Sequence, residues 1–348
     1  MSSFFKLHIK EVKRETDSCV SIVFTIPEPL QQHYQYVSGQ YVNLKLTLDG
    51  QEIRRAYSIC SSPNENELRI AVKAVKHGAF SNFANQQLKA GSVIEVSAPE
   101  GRFTVDAEKP AHNIAAFAAG SGITPVMSIL KSVLASDPNG TFLLVYGNKS
   151  PQQTIFYQQL HDLQQQYVGR LLVQFVFSEA KQDGALFGRI DRSVVNYTLK
   201  NKYKDIAFES FFLCGPEGMI NTVSGALKEA NVPESKIKFE LFSTSSSETD
   251  LKIADGHTTI TVTVDDETST FEMSRKQSVL DAALKHGLDA PYSCQGGICS
   301  SCLARITEGT AEMKKNTILT DGEIADGLIL TCQAHPTSAV LKIDYDDV

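Results

Sequence analysis

Four cysteines constrain this chain more than anything else in it. Cys294, Cys299 and Cys302 fall within Pro291-Tyr292-Ser293-Cys294-Gln295-Gly296-Gly297-Ile298-Cys299-Ser300-Ser301-Cys302, and Cys332 completes the pattern C-x4-C-x2-C-x29-C. That is the plant-type spacing for a [2Fe–2S] cluster. Three thiolates on one tight loop can converge on one metal centre. Gly296 and Gly297 suit such a loop because glycine accepts positive φ and lets backbone N–H groups close on the sulfurs. The fourth ligand has to come from elsewhere, and Cys332 follows the apolar run Gly327-Leu328-Ile329-Leu330. A zinc site fits less well, since it favours two C-x2-C pairs or Cys/His mixtures and only one short pair is present. A disulfide framework fits less well again: four of the seven cysteines crowd one segment, as in a compartment that keeps thiols reduced.

A core of about 250–300 residues is the usual limit, so 348 residues imply two or three domains. Hydrophobic content of 42% and charged content of 21% are those of an ordinary globular protein. The first ten residues lack the apolar core of a signal peptide, and no run of about 18 apolar residues occurs. The expectation is a cytoplasmic protein with no membrane span. Its net charge of −7 is localised: residues 257–348 hold 14 acids and 7 bases, leaving 26 of each upstream. A basic nucleic-acid footprint is therefore absent. An acidic cysteine-bearing segment can be steered toward a basic docking face, or its charge can simply aid solubility.

Residues from about 4 to 108 alternate apolar and polar in short runs. Val20–Phe24, Tyr41–Leu46, Leu68–Lys73 and Val93–Val96 read as strands of a small antiparallel barrel, closed near Pro99–Phe103. Within it, Arg55, Tyr57 and Ser58 in Arg54-Arg55-Ala56-Tyr57-Ser58-Ile59 combine a phosphate-binding fork, an aromatic plate and a hydroxyl, the chemistries a flavin needs. The run Lys76-His77-Gly78-Ala79-Phe80-Ser81 leads into a short helix that Ser81 is expected to cap, with free N–H groups for a pyrophosphate.

Beyond residue 109 the pattern becomes βαβ. Asn113–Ala119 is a continuous apolar run of buried parallel-strand character, followed by Gly120-Ser121-Gly122-Ile123-Thr124-Pro125 and a helix. A strand, a Gly-x-Gly turn and a helix make a dinucleotide phosphate site, although Pro125 stands where the third glycine of G-x-G-x-x-G belongs. Thr141–Gly147, Leu171–Phe177 and Ser210–Cys214 continue a parallel sheet, with a helix at Phe156–Gln166. Cys214 ends its strand at the sheet's carboxyl edge, where open α/β sheets bind ligands. The alternative for Cys214 is a small core thiol, and Cys19 and Cys60 are read that way. The Ser-rich run Ser243–Asp250 has linker composition. A hairpin around Asp265–Glu267, a helix over Ser278–His286 and a last strand at Leu341–Asp344 then frame the cysteine loop in an α+β domain. The expected organisation is multidomain: a barrel over 1–108, an α/β domain over 109–242, a linker over 243–256 and the cysteine domain over 257–348.

These motifs together resemble the ferredoxin–NADP reductase family in the form that carries a C-terminal plant-type ferredoxin domain. R-x-Y-S is Arg55–Ser58, G-x-x-S is Gly78–Ser81, G-x-G-x-x-P is Gly120–Pro125 and C-G-P is Cys214-Gly215-Pro216. The resemblance implies an FAD barrel, an NAD(P) α/β domain and a β-grasp ferredoxin domain. It implies that Arg55 holds FAD phosphate, Tyr57 stacks on the flavin and Ser58 bonds near its N5. Ala56, Lys73, Gly78, Ala79, Phe80 and Ser81 would form the rest of the FAD site, and the intact Gly78–Ser81 turn implies FAD rather than FMN. Ser121, Gly122 and Thr124 would face NADH or NADPH. Cys214, Gly215 and Pro216 would lie beside the nicotinamide with Glu240 near, and Phe242 would stack on the flavin. Ser58, Cys214 and Glu240 are the implied catalytic residues.

Two departures stand out. Ser178-Glu179 replaces the Ser-Arg of NADP-dependent relatives, with Phe187 near the expected aromatic place and Lys181 and Arg189 able to compensate for the carboxylate. In the cluster loop, Gln295-Gly296 replaces the Arg-Ala of plant ferredoxins. Electron counting completes the expectation. A nicotinamide gives electrons in pairs and a [2Fe–2S] cluster takes one, so the flavin stands between them. The implied acceptor is an oxygenase component of carboxylate-bridged di-iron or Rieske type. A different class, a non-catalytic electron-conducting subunit or redox sensor, would need no intact Cys214, Glu240 or Gly120–Pro125 turn.

Overall fold

Side chains that alternate inward and outward make strands of the first hundred residues in a computed structural model that describes residues 4–48, 50–105, 112–242, 253 and 255–348. The strands are Phe5–Thr16 (β1), Cys19–Thr25 (β2), Tyr41–Leu48 (β3), Gln51–Ser58 (β4), Leu68–Lys73 (β5) and Val93–Val96 (β6), with helix Ala79–Gln86 (α1) between the last two. They hydrogen-bond in the order β4-β3-β6-β1-β2-β5. An antiparallel bridge from Ile59 to Ile70 joins the outer strands and closes the barrel. Leu7, Ile9, Ile22, Leu44, Ile70 and Val72 fill it, alternate residues of each strand facing in. Glu100 pairs with Tyr41 through both backbone hydrogen bonds, where the barrel was expected to close.

The α/β part comprises Asn113–Ala119 (β7), Ile123–Ser136 (α2), Thr141–Asn148 (β8), Tyr157–Gln166 (α3), Leu171–Phe177 (β9), Leu186–Phe187 (β10), Arg192–Asn196 (α4), Ser210–Cys214 (β11), Glu217–Glu229 (α5) and Ile237–Glu240 (β12). All its strand pairs are parallel, in the order β10-β9-β8-β7-β11-β12. The chain builds outward from β7 to β10, then returns to the other side of β7. The gap between β7 and β11 is the topological switch point, where the strands' carboxyl ends open a crevice. Strands buried on both faces explain the unbroken apolar runs. Phe117, Phe142, Phe177 and Phe212 are all but fully buried.

The C-terminal part holds His257–Val264 (β13), Glu267–Ser274 (β14), Val279–Lys285 (α6), Leu303–Met313 (β15), Asp321–Ala325 (α7), Leu328–Leu330 (β16) and Ala334–Asp344 (β17). The sheet order is β14-β13-β17-β15-β16, with β13 and β17 parallel and the other pairs antiparallel. With α6 burying Val279, Leu280, Ala282 and Ala283 in its core, this is the β-grasp arrangement. The hairpin turns at Asp265 and Asp266, both at positive φ (56° and 60°), as a two-residue I′ turn requires. Ser278 caps α6 by accepting from the Asp281 N–H.

Two compact units result, one of Phe4–Ile53 and Tyr57–Phe242, the other including Arg54–Ala56 and the C-terminal part. The expected linker 243–256 falls mostly on residues outside those described, as does the expected boundary at 108. No strand was expected directly after Cys302, yet β15 runs there for 11 residues. Its outward positions are polar and Gly309 interrupts it. At φ +88°, a β-carbon on Gly309 would lie 2.1 Å from the Val340 carbonyl oxygen, and the register slips beside it. That bulge breaks the alternation by which strands are recognised. Among the described residues, no helix is long and apolar enough to cross a membrane.

Phe142→Ala should cost about 3–5 kcal/mol, since its ring is fully buried between sheet and helices. A urea midpoint that stays put would show that this core yields without penalty.

Candidate active site and metal centre

Six segments of the first unit meet at the carboxyl ends of β7 and β11, linked by a series of contacts. Tyr57, near the end of β4, lies 5.3 Å from Phe80 of α1, centroid to centroid. Ser58 donates from Oγ to Glu240 Oε2 at 3.3 Å. Glu240 ends β12 in register with Cys214, the last residue of β11. Gly122 packs so closely on the next turn that a β-carbon there would sit 2.1 Å from the Cys214 carbonyl oxygen and 2.9 Å from Gly215 N. Gly120, at φ +55°, lies beside Lys73: its β-carbon position is 3.6 Å from Lys73 Nζ. So Tyr57, Ser58, Lys73, the Gly78–Ser81 turn, the Gly120–Thr124 turn, Cys214–Pro216 and Glu240 are brought together. Arg55 is exposed on β4, its guanidinium donating to Arg54 O, and Ala56 follows it half-buried. Phe242, 37% exposed, closes the described part of this unit.

Both helix starts suit phosphate. α1 and α2 carry no side-chain cap and no acidic residue in their first turns, which favours an anion at their starts, although in α2 the first N–H, that of Ile123, already donates into the Gly120–Gly122 turn. Ser81 is not the cap that was expected. Gly78 occupies that position, which places Ser81 in the third helical position with its Oγ accepting from Val75 N and donating to Gly78 O. The serine thus ties the turn from inside, and Gly78 has no room for a β-carbon, which would stand 2.5 Å from Val75. Thr124 Oγ1 likewise donates back to Ser121 O. Tyr146 was not singled out from the sequence: fully buried, its hydroxyl donates to Gly120 O and holds the turn from beneath. No sequence signal separates it from any other core aromatic.

Burial pushes the Glu240 carboxyl up from 4.5 to about 8, against an opposing contribution from the Ser58 hydroxyl. The shift favours the protonated carboxyl at neutral pH. Burial, then the nearby Glu240, raises the Cys214 thiol well above its ordinary range, so it stays neutral too. Cys19 and Cys60, both buried and pushed up to about 12, chiefly by burial, are inert core thiols. Glu179, at the carboxyl edge of β9, pairs with Lys149 at 3.0 Å, and Lys181 Nζ lies 5.8 Å from the Phe187 ring.

In the second unit the thiol of Cys294 is within hydrogen-bonding reach of those of Cys299 and Cys332, and Cys302 within reach of Cys332. The four sulfurs form a chain of neighbouring thiols. A chain of four thiols suits a two-iron unit better than one ion. The loop is shaped for them. Gly296 N donates to Cys294 Sγ at 3.3 Å, and Gln295 and Gly297 both adopt positive φ. Gln333 Nε2 donates to Gln295 O and Thr317 Oγ1 to Gly297 O, pinning the loop from two sides. Ser293, beside Cys294 and 2% exposed, has no partner for its Oγ. A hydroxyl buried without an acceptor is costly, and a cluster sulfur would supply one. The residues fit the group.

Comparisons with known proteins agree with this geometry. Residues 6–105 match the oxidoreductase FAD-binding domain family, 117–225 the oxidoreductase NAD-binding domain family and 262–337 the 2Fe-2S iron-sulfur cluster binding domain family. The chain is 36% identical to one of the polypeptides of the 1,2-phenylacetyl-CoA epoxidase of Escherichia coli strain K12, covering 99% of each. It is 34% identical to the ferredoxin reductase component of 3-ketosteroid-9-alpha-monooxygenase of Rhodococcus rhodochrous, over 97% of this chain and 96% of that one. Among solved structures, phthalate dioxygenase reductase superposes with a TM-score of 0.62 at 23% identity, covering 98% of each chain.

The shift at Glu240 has a definite sign. Its proton is bound more tightly in the folded protein, so the wild type should lose stability relative to Glu240→Gln as pH rises from 4.5 toward 8. Denaturant midpoints of the two proteins at pH 5 and pH 8 test this. A constant difference would show the carboxyl to be unshifted.

Proposed function

Because the chain belongs to the ferredoxin–NADP reductase family with a C-terminal plant-type ferredoxin domain, we propose that it is the reductase component of a di-iron phenylacetyl-CoA epoxidase. It transfers electrons from NAD(P)H through FAD and a [2Fe–2S] cluster. The observation that carries the choice of acceptor is the full-length identity of 36% to the epoxidase polypeptide, with all three domains present in this chain. A Rieske-type ring-hydroxylating oxygenase is the second candidate acceptor. The domain limits are proposed at 1–108, 109–242 and 257–348, around a linker at 243–256, and the cytoplasm, where NAD(P)H is made, as the location.

The proposed roles follow the series of contacts. Arg55, Lys73 and the amides of Gly78–Ser81 hold FAD phosphate, with Ala56 and Phe80 lining the site and Tyr57 and Phe242 offering ring faces. Ser121, Gly122 and Thr124 receive the dinucleotide. The narrow turn Cys214-Gly215-Pro216 lets its nicotinamide come close. Bound FAD supplies the conversion between electron pairs and single electrons. Ser58 and protonated Glu240 hold a proton between Oγ and Oε2 without placing charge in the crevice. Glu179 favours a ribose hydroxyl over a 2′-phosphate, so NADH is the proposed donor. Cys294, Cys299, Cys302 and Cys332 hold the cluster.

Cys299→Ser should remove the visible iron–sulfur spectrum and all delivery to an oxygenase, while NAD(P)H-dependent ferricyanide reduction continues at near wild-type rates. Retained cluster absorbance would refute the ligand assignment. Mixed with a purified di-iron phenylacetyl-CoA epoxidase and, separately, with a Rieske oxygenase, the wild type should drive product formation at least about tenfold faster in the first, as befits about 1.4 kcal/mol of partner discrimination. The reverse ranking would overturn the proposed acceptor.

A further inference from the structure

β9 is apolar except in its middle, where Gln174 stands between Val173 and Phe175 and is 1% exposed. A buried amide is costly unless its polar atoms are paired, and the electron-transfer reading gives this one no task. Both of its hydrogens are used: Gln174 Nε2 donates to Phe175 O at 3.0 Å and to Gly184 O at 3.2 Å. Its Oε1 accepts from Lys202 Nζ at 2.7 Å. Only this orientation of the amide works. Turned over, it would set its NH2 against an ammonium and its oxygen against two carbonyls.

The amide joins two segments that are far apart in the sequence. Gly184, at φ +80°, lies on the return leg of the connection 178–185 between β9 and β10, the connection that carries Glu179. The outgoing leg is held to the end of β8 by backbone, Ser178 N donating to Asn148 O and Glu179 N to Lys149 O. Side chains hold the return leg: Gln174 at Gly184, and Tyr157, whose hydroxyl accepts from Gln182 Nε2 at 2.8 Å. Lys202 comes from the π-helical turn Tyr197–Lys202 that follows α4, closed by Tyr203 N donating to Thr198 O. Such turns are rare and frequently mark functional sites. This one ends in the ammonium that fixes Gln174.

We propose that Gln174 is a positioning residue for the nicotinamide dinucleotide: anchored by Lys202, it fixes the connection 178–185 so that Glu179 is already in place for the adenosine ribose. This rests on the reading of Glu179 as the group that favours NADH. A connection held before the ligand arrives does not have to be ordered by it, and that saving appears as affinity. Gln174 acts through the connection rather than on the nicotinamide, so its effect is on binding and not on the chemical step.

Two variants of the full-length protein, purified with its cofactors, separate the halves of this line. Gln174→Glu keeps an acceptor for Lys202 and loses the donor to Gly184. Lys202→Met removes the ammonium at an exposed position and keeps the donor. The probe is ADP-ribose, which has the adenosine ribose and no nicotinamide, titrated by calorimetry. Its dissociation constant should rise about fivefold in Gln174→Glu, the scale of one lost hydrogen bond, and roughly twofold in Lys202→Met. In ferricyanide turnover Gln174→Glu should raise the KM for NADH about fivefold with kcat unchanged, and its kcat/KM preference for NADH over NADPH should fall. If Gln174→Glu does not fold, Lys202→Met decides by the same titration. An unchanged dissociation constant with fewer binding-competent molecules would overturn the positioning role, as would a fall in kcat at constant KM. The Glu179 reading is tested apart. Glu179→Gln should itself lower the preference for NADH, and an unaltered ratio there would overturn that reading, and the role of Gln174 with it.

Discussion

The contact between Gly122 and the carbonyl of Cys214 fixes how the first unit can be arranged. The two strands that flank the switch point end in turns packed so tightly that no β-carbon fits between them. Strand register then places Glu240 next to Cys214, and the Ser58 hydroxyl ties Glu240 to the end of the barrel strand β4. On the other side, the same glycine turn brings Gly120 beside Lys73 of the barrel. A larger residue at 122 would displace the turn and, with it, every group the crevice holds. The chemistry of the site is a consequence of this one absent side chain.

Inside the crevice, ionisable groups are kept uncharged by burial. The surroundings of Glu240 and Cys214 raise both groups and favour their neutral forms, and the positive charge nearby comes from the ammonium of Lys73 and the dipoles of two helix starts. That distribution favours phosphate at the rim and an apolar ring system at the centre. Burial of the barrel thiols Cys19 and Cys60 has the opposite meaning. They pack in the core that the barrel shares with the α/β part, and raising their thiols only makes them unreactive.

What could be read in the amino-acid order was whatever depends on local spacing. The first three cysteines, the Arg55–Ser58 strand, the Gly78–Ser81 turn and the Gly120–Pro125 turn are each local in the sequence, so their spacing is legible without the fold, whereas Cys332 lies 30 residues beyond Cys302. The position of Ser81 was misread because Gly78, which lacks a side-chain acceptor, took the cap in its place. β15 was invisible because Gly309 breaks its alternation. Tyr146 and Ser293 carry no local mark at all. Their importance comes from burial and from what surrounds them, and only tertiary packing decides that.

The β-grasp sheet has β17 in its middle, parallel to β13, and Thr258 donates across that pairing to Ser338, 80 residues further along. Chain closure over such a span is slow compared with forming a hairpin. Until it happens the core shared by Cys302, Cys332, Leu341 and Ile343 is incomplete. The sheet that carries these cysteines is therefore complete only once β17, its last strand in the chain, has paired at its centre.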